Sequence, residues 1–172
     1  MIRSVCDSVN FKEIYKSYAK PLRNYLYYKC GDLEKAEDLS QEALIKLWEN
    51  CKSVIFEKAK SYLYTIGHRL MINHIRHQKV VLNFVKDKVQ TINQEDPDFV
   101  LREQEFGVVL EKAISELPDI QRETFLMNRI DKMTYAEIAE VLGISVKAVE
   151  KRMHNALDNL KNKVIELGVY KF

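Results

Sequence analysis

Near the C-terminal end of this 172-residue chain, basic and polar side chains recur on one side of a segment with helical spacing. Lysine and arginine at such positions can bind DNA phosphates or guanine edges, and an asparagine can pair with adenine. A helix from Val146 to Leu160 would be roughly 22 Å long, enough to cross a major groove about 12 Å wide. The residues predicted to contact DNA from this helix are Ser145, Lys147, Ala148, Glu150, Lys151, Arg152, His154 and Asn155.

The residues around this helix have the pattern of a helix-turn-helix. Thr134 and Glu137 have the spacing of a capping box that opens a first helix. Gly143 permits the positive φ of a sharp turn, and the Ser145 hydroxyl can cap the second helix. A helical hairpin with a solvated basic face is the alternative, but cap and glycine in register with an apolar wedge favour DNA binding. The wedge residues are Ile138, Leu142, Ile144, Val149 and Met153.

A second group of basic and aromatic residues lies in mid-chain, around a helix predicted from about Lys60 to Lys79. Aromatic rings can stack on unpaired bases while cations hold the strand, a combination suited to single-stranded DNA. Tyr62 fits a core position equally well. The residues predicted to bind melted DNA are Lys58, Lys60, Tyr62, Tyr64, Arg69, Asn73, Arg76 and Lys79.

Acidic and amide residues form a third group on the helix that precedes this one. Glu37, Asp38, Gln41 and Glu42 would form a ridge suited to basic side chains on a partner helix. From these residues alone, an acidic face that is merely solvated is the stronger interpretation. The charge is also unevenly distributed, because residues 32–50 hold six acids against two bases although the whole chain has a net charge of only +2. Such blocks indicate distinct surfaces for distinct partners.

Apolar spacing that is helical nearly everywhere, except for a weakly periodic stretch after Val81, predicts an all-α protein of two small helical domains joined by a flexible linker. Apolar residues make up 47% and charged residues 30% of the chain, with only 5 Gly and 3 Pro. No run of 18 or more apolar residues and no signal peptide is visible, so we expect a cytoplasmic protein. The predicted domains are residues 10–80 and 108–172, with an acidic linker at 81–107. Cys6, Cys30 and Cys51 form no Cys-x-x-Cys pair and are expected to be reduced thiols.

Local signals predict where the N-terminal helices begin and end. Asn10 with Glu13 can cap the first helix, and Pro21 is expected to kink or restart it. Asp32 can cap the second helix after a break at Gly31. Residues 50–59 lack periodicity and are predicted to form a loop, and Trp48 is predicted to pack in the core.

Three stretches together resemble the sigma-70 family of bacterial RNA polymerase sigma factors, in its small extracytoplasmic-function (ECF) type. They are AEDLSQEALIKLW at residues 36–48, YLYTIGHRLMINHIR at 62–76 and LPDIQRETF at 117–125, followed by the helix-turn-helix. The likeness spans about residues 11–161. The chain departs from the usual family residues at Gly67, Arg69 and Asn73, where the family commonly has Ala, Asn and Asp.

The resemblance implies a function for each group of residues. The ridge residues Glu37, Asp38, Gln41 and Glu42 would bind the β′ clamp helices of core RNA polymerase. The mid-chain helix would open the promoter −10 element, with residues 51–59 forming a pocket for a flipped base, and the helix-turn-helix would read the −35 element. An anti-sigma factor is a further implied partner. Since the linker alone would not hold the two domains a promoter's length apart, we expect the free chain to bind a complete promoter weakly.

Two other functions compete with this one. A stand-alone helix-turn-helix regulator would dimerise on a palindrome, but no heptad seam is evident. An enzyme is the other alternative, because His74 and His77 are spaced to share a metal. No matching carboxylate or cysteine ligand, phosphate loop or nucleophile motif accompanies them. We therefore predict no catalytic residue, metal, cofactor or small-molecule substrate.

Overall fold

The computed structural model describes residues 3–74 and 97–166, and it is helical throughout apart from its turns and caps. Within these ranges, extended chains pair only at a single antiparallel bridge between Ser4 and Ile55. The α-helices are α1 (Ser8–Cys30), α2 (Leu33–Glu49), α3 (Ala59–His74), α4 (Pro97–Ser115), α5 (Asp119–Arg129), α6 (Tyr135–Leu142) and α7 (Val146–Glu166), with a 3₁₀ turn at Phe56–Lys58. The predicted all-α fold is confirmed.

Helices α1, α2 and α3 pack into an N-terminal bundle around fully buried leucines. Leu22 and Leu26 of α1 meet Leu47 of α2 and Leu63 of α3, each at most 1% exposed. Gly67 of α3 lies directly against α1, because a Cβ at this position would be 3.2 Å from the Leu22 Cδ1 atom. The missing methyl group lets α3 approach α1 closely, which gives this departure from the family pattern a packing reason.

The first helix begins earlier than predicted. The Asp7 carboxylate accepts the N–H groups of Val9 and Asn10, so α1 is capped by Asp7 and the predicted cap at Asn10 is wrong. The side chains of Asn10 and Glu13 instead accept hydrogen bonds from the Arg3 guanidinium.

The other predicted signals at the ends of α1 and α2 have different outcomes. Helix α1 continues through Pro21 without a restart. Gly31 then ends it with φ 71°. The Asp32 carboxylate accepts the Lys35 N–H at 3.0 Å, which confirms the predicted cap of α2. The break between these helices could be predicted because both of its signals, Gly31 and Asp32, are local.

The C-terminal domain consists of α4 to α7, whose core includes Ala113, Leu126, Ile138 and Val149. Helix α4 begins at Pro97, inside the stretch predicted as linker at 81–107. A proline is well suited to a first helical turn, where its missing N–H costs no hydrogen bond. The predicted linker residues before Pro97, together with Arg76, His77 and Lys79, lie outside the described residues.

Two of the three cysteines are joined, which corrects the prediction of reduced thiols. Cys6, just before α1, forms a disulfide with Cys51, just after α2, with Cα atoms 5.0 Å apart. Cys30 is a free, half-buried thiol. The bonded residues are 45 positions apart and meet only because the end of α2 lies beside the start of α1. No short-range cysteine pattern could have predicted that pair.

Among residues 3–74 and 97–166, no helix is both long enough and apolar enough to cross a membrane.

Candidate nucleic-acid interface

The helix-turn-helix has the local geometry that the sequence predicts. Thr134 and Glu137 form a reciprocal capping box: the Glu137 carboxylate accepts the Thr134 N–H at 2.8 Å, and the Thr134 hydroxyl accepts the Glu137 N–H at 3.3 Å. Gly143 ends α6 with φ 65°. The Ser145 hydroxyl then accepts the Ala148 N–H at 3.2 Å, at the start of α7. Two capped helices are therefore held at a fixed turn.

Most of the predicted DNA-reading residues lie on the open side of α7. Ala148 is half-buried, and His154, which is 74% exposed, lies 3.2 Å from the Asp158 carboxylate. The open side carries the basic residues Lys147, Lys151 and Lys161 together with the acids Glu150 and Asp158. The exposed predicted residues are Ser145, Lys147, Glu150, Lys151, His154 and Asn155.

Arg152 lies elsewhere, on the side of α7 that faces α5. Its Nη1 donates to the Glu123 carboxylate at 3.3 Å, and its side chain is only 24% exposed. The prediction that Arg152 points outward with its neighbours is therefore wrong for this arrangement. Its guanidinium pairs with the buried Glu123 carboxylate, which would otherwise lack this compensating charge, and so it does not extend into solvent.

The mid-chain residues divide between surface and core. Tyr64 is 2% exposed and packs edge-on against Tyr25, with ring centroids 5.1 Å apart. Burial raises the pKa of the Tyr64 hydroxyl. Tyr64 therefore cannot stack on a DNA base in this arrangement, contrary to its predicted role.

The remaining predicted α3 residues are more accessible than Tyr64. Tyr62 packs partly against the core. The Lys60 ammonium, 15% exposed, lies 3.7 Å from the Glu140 carboxylate of α6. The predicted residues left free to meet DNA are Lys58, Arg69 and Asn73, all exposed.

The acidic ridge lies on the outer face of α2, as predicted. Glu37, Asp38 and Gln41 are exposed, and Glu42 lies 3.5 Å from Lys46 one helical turn away. Beside the ridge, a shallow cleft of about 260 Å³ separates it from basic residues of α1, including Lys16, Lys20 and Arg23. A partner helix with basic side chains would be attracted by the acids on α2 and repelled by the basic residues of α1, which restricts the orientation in which it can dock.

Trp48 lies further along α2, near the end of the same helix. It is 44% exposed and touches Phe11 edge-on, with ring centroids 4.9 Å apart, so the prediction of core packing is wrong.

The two domains pack against each other through Arg122, a residue for which the sequence alone predicts no role. Arg122 of α5 is 2% exposed, and its Nε donates to the Tyr28 carbonyl of α1 at 2.8 Å. Its other nitrogens bind within the C-terminal domain, to the Leu117 carbonyl at 2.9 Å and to Asp119 at 2.7 Å. Arg122 thus ties the C-terminal end of α1 to the start of α5.

A buried charge cluster continues this contact. The Glu123 carboxylate, 3% exposed, is paired with Lys29 of α1 as well as with Arg152 of α7. Burial raises the Glu123 pKa, and the two cations oppose that effect. At the rim, Asn24 donates to the Asp131 carboxylate at 2.6 Å. We call Lys29, Glu123 and Arg152 the charge cluster.

The charge cluster lines a cleft of about 390 Å³ between α3 and the helix-turn-helix. His68 and Arg69 of α3 line the same cleft. Burial, together with the nearby Lys29 ammonium, lowers the His68 pKa. Predicted DNA-binding residues of both domains, among them Arg69 of α3 and Arg152 of α7, therefore line this cleft, and the two domains are closed against each other around it.

Among the described residues, no group of three or more His, Cys, Asp or Glu side chains could hold a metal ion. The predicted pairing of His74 with His77 lies outside the described side chains.

Two family models match the chain, one in each domain. The model described as Sigma-70 region 2 matches residues 14–80, and the model described as Sigma-70, region 4 matches residues 108–160. The two matches coincide with the N-terminal bundle and with the domain that carries the helix-turn-helix.

Curated relatives match along nearly the whole chain. The ECF RNA polymerase sigma factor SigW of Bacillus subtilis (strain 168) is 29% identical over 172 residues, covering 94% of this chain and 92% of SigW. The RNA polymerase sigma factor YlaC of the same organism is 26% identical over 163 residues and covers 92% of each chain.

Solved structures have the same fold. The sigma factor RpoE of Bartonella quintana, solved in complex with the anti-sigma factor NepR, has a TM-score of 0.60 at 19% identity, covering 90% of this chain and 96% of RpoE. CnrH, solved in complex with the cytosolic domain of CnrY, has a TM-score of 0.61 at 19% identity and covers 92% of this chain and 88% of CnrH.

Proposed function

The chain belongs to the sigma-70 family, with ECF sigma factors among its relatives, and on that premise we propose how its surfaces share the work of initiation. It is a promoter-specificity subunit, which binds core RNA polymerase and directs transcription to promoters by recognising and melting their DNA. Sigma factors are regulatory subunits, and the polymerase makes the phosphodiester bonds. The observation that carries the assignment is the occurrence of regions 2 and 4 in one chain, in that order.

We propose that the ridge of Glu37, Asp38, Gln41 and Glu42 binds the clamp helices of the polymerase β′ subunit. These side chains lie together on the solvent face of α2, where a basic helix can reach them. Reversing two charges should weaken binding through like-charge repulsion, which mainly slows association and costs affinity at low salt.

The variant that tests the ridge is Glu37→Lys with Asp38→Lys. Binding to core polymerase should fall, while binding of the C-terminal domain to DNA should not change. Glu116→Lys with Glu166→Lys is a control that makes the same charge change in the C-terminal domain, where both acids are ion-paired with Lys163. Equal loss of polymerase binding in both variants would mean that net charge, and not the ridge, matters.

We further propose that the open side of α7 reads the −35 element and that the exposed face of α3 holds the melted −10 strand. Lys147, Lys151 and Asn155 are oriented for groove contacts, whereas Lys58, Arg69 and Asn73 are the accessible residues on the α3 side. Lys151→Ala should lower transcription from a −35-dependent promoter, by about 1–3 kcal/mol of binding if the side chain reads a base. Lys161→Ala, an exposed lysine on the same helix, should have little effect.

The closed arrangement supports weak promoter binding by the free chain. Lys29 of α1 is paired with Glu123 of α5, and Arg69 of α3 and Arg152 of α7 line one cleft between the domains. Promoter elements about 25 base pairs apart are separated by ~85 Å, so the domains must separate before both elements are bound. We propose that polymerase binding drives this separation, and that the chain works in the cytoplasm, where core polymerase is found.

An anti-sigma factor is a proposed partner that would act at the same step. RpoE and CnrH have this fold and were solved with protein partners, NepR being named an anti-sigma factor. A partner that binds both domains of the closed chain would keep the cleft shut. Co-purification of the tagged chain from its own bacterium should recover such a partner separately from polymerase. Recovery of polymerase alone, under every growth condition tested, would contradict the proposal.

A stand-alone regulator is the less favoured alternative, because the N-terminal domain matches region 2 of a sigma factor. Dimeric binding to an inverted repeat, without any effect of the chain on initiation by core polymerase, would favour that alternative.

A further inference from the structure

The disulfide lies at the loop that resemblance assigns to capture of the −10 base. Residues 50–58, which we call the reading loop, join α2 to α3 and begin beside Cys51. Residues 3–7, which we call the N-terminal strap, cross this loop and contain Cys6. The two sulfur atoms therefore join the strap to the loop at its start.

Two further contacts hold the strap across the reading loop, and one buried side chain anchors the strap in the core. Ser4 forms a backbone bridge with Ile55, and the Val5 side chain is fully buried. The Arg3 guanidinium lies over the ring of Phe56, 3.7 Å from its centroid. Arg3 is itself held by Asn10 and Glu13 of α1. The exposed face of the aromatic ring in the loop is thereby covered.

We propose that Cys6 and Cys51 form a reversible redox pair, whose oxidation clamps the strap over the reading loop and slows promoter opening. The inference rests on the proposed function of the reading loop in promoter melting. In the disulfide form, Arg3 stays on Phe56, so an extruded base cannot stack on that face. In the dithiol form, the covalent tie is absent and the strap can move aside.

The oxidation balances with a hydroperoxide as the oxidant. One thiolate attacks the terminal oxygen and the O–O bond breaks; the leaving alkoxide takes up the proton that the thiol released and departs as an alcohol (water, if the oxidant is hydrogen peroxide). The resulting sulfenic acid is attacked by the second thiolate, which forms the S–S bond and releases a further water. A dithiol reverses the reaction by two exchange steps and is itself oxidised to a disulfide.

The geometry suits a reversible modification better than a permanent structural bond. Both cysteines are only half-buried, so oxidants and reductants can reach them. Cys30 provides an internal comparison, because its thiol is also half-buried but donates to the Asp32 carbonyl and has no sulfur partner. Burial raises the Cys30 pKa, which lowers the fraction of this thiol that is present as the reactive thiolate.

The first measurement tests the chemistry on the full chain without polymerase. After treatment with hydrogen peroxide, alkylation and mass spectrometry should show Cys6 and Cys51 protected and Cys30 open to alkylation once the chain is denatured. Dithiothreitol should restore both thiols. Failure of the pair to form, or its formation between Cys30 and another cysteine, would overturn the proposal.

The second measurement tests the consequence, using a DNA fragment from which the reduced chain and core polymerase initiate. If no such fragment exists, the proposed function fails, and the redox pair is judged by its chemistry alone. If one exists, the oxidised chain should open it at a rate at least about fivefold lower than the reduced chain, as expected from the loss of one base-stacking contact. Equal opening rates, or faster opening by the oxidised chain, would overturn the proposal.

Three variants separate the clamp from general oxidation damage. Cys6→Ser with Cys51→Ser should open the promoter as fast as the dithiol form of the parent chain, with or without peroxide. Cys30→Ser should keep the full response. Arg3→Ala should keep the disulfide but recover much of the opening rate, because Phe56 is uncovered; no recovery would show that the strap does not act by covering this ring.

Discussion

Removing one charge from the contact between the domains should open the molecule. The Lys29 ammonium of α1 reaches across to the Glu123 carboxylate, and its side chain is only 12% exposed. Lys29→Met keeps the length and the apolar stem of the side chain but removes the charge. Because Arg152 still pairs with Glu123 inside the C-terminal domain, the helix-turn-helix should stay folded.

The size of the shift toward open domains depends on the ion-pair partner that Glu123 keeps in Lys29→Met. Losing one partner of a fully buried ion pair costs about 3–5 kcal/mol when the other charge is left alone. Here Arg152 remains, so the loss is closer to one charge-assisted hydrogen bond, about 1.5–3 kcal/mol. The equilibrium between closed and open domains should therefore shift toward open by roughly 10- to 150-fold.

Single-molecule energy transfer between dyes at positions 49 and 161 would measure this shift. Both positions are exposed, on α2 and α7, and non-native amino acids would carry the dyes so that the cysteines stay intact. Energy transfer between the dyes should fall in Lys29→Met as the population of open molecules grows. Lys12→Met, an exposed lysine on the same helix, is the matched control.

An unchanged distance distribution in Lys29→Met would refute the reasoning, since the charge cluster would then contribute nothing to domain closure. A shift of the same size in Lys12→Met would refute it too, because loss of any α1 charge would then suffice.

Three further predictions concern stability, each measured by guanidinium unfolding followed by circular dichroism. Arg122→Lys should destabilise the chain by about 2–4 kcal/mol, because one ammonium cannot serve the Tyr28 and Leu117 carbonyls and Asp119 together; a loss below that of the exposed Arg129→Lys would contradict this. Glu137→Gln should destabilise the chain at neutral pH. The Thr134 backbone N–H, followed by its hydroxyl, lowers the Glu137 pKa below 4.5, so the carboxylate stabilises the fold above pH 4.5 and loses that effect as the pH falls through the lowered pKa. The difference between Glu137→Gln and the parent chain should therefore shrink on acidification, and a difference that grows would contradict the assignment. Reduction of the disulfide, which closes a 45-residue separation, should lower stability by up to about 4 kcal/mol, and the Cys6→Ser, Cys51→Ser variant should no longer respond to reductant.

The helix-turn-helix could be predicted from the sequence because its determinants are local. The capping box joins residues three positions apart, and Gly143 needs only its own φ to end the helix. Apolar spacing likewise separated Ile138 and Val149 from the exposed lysines. Physical rules that act within one or two turns are visible in a single sequence.

Contacts between distant residues could not be predicted in that way. Tyr64 and Arg152 are chemically suited to DNA, but Tyr64 is covered by Tyr25 of α1, and Arg152 is drawn to a buried acid on α5. Arg122 lies in the stretch LPDIQRETF that resembles the family, yet only the tertiary structure brings it within reach of the Tyr28 carbonyl, 94 positions away. Residue type identifies a capable side chain, whereas packing decides what it touches.

The most direct test of the account is to map transcription start sites with core polymerase from the source bacterium and fragmented genomic DNA, with and without the purified chain. The account predicts transcripts that begin at discrete positions only when the chain is present, and that are lost in Glu37→Lys with Asp38→Lys. An identical set of start sites with and without the chain would contradict its role as a promoter-specificity subunit.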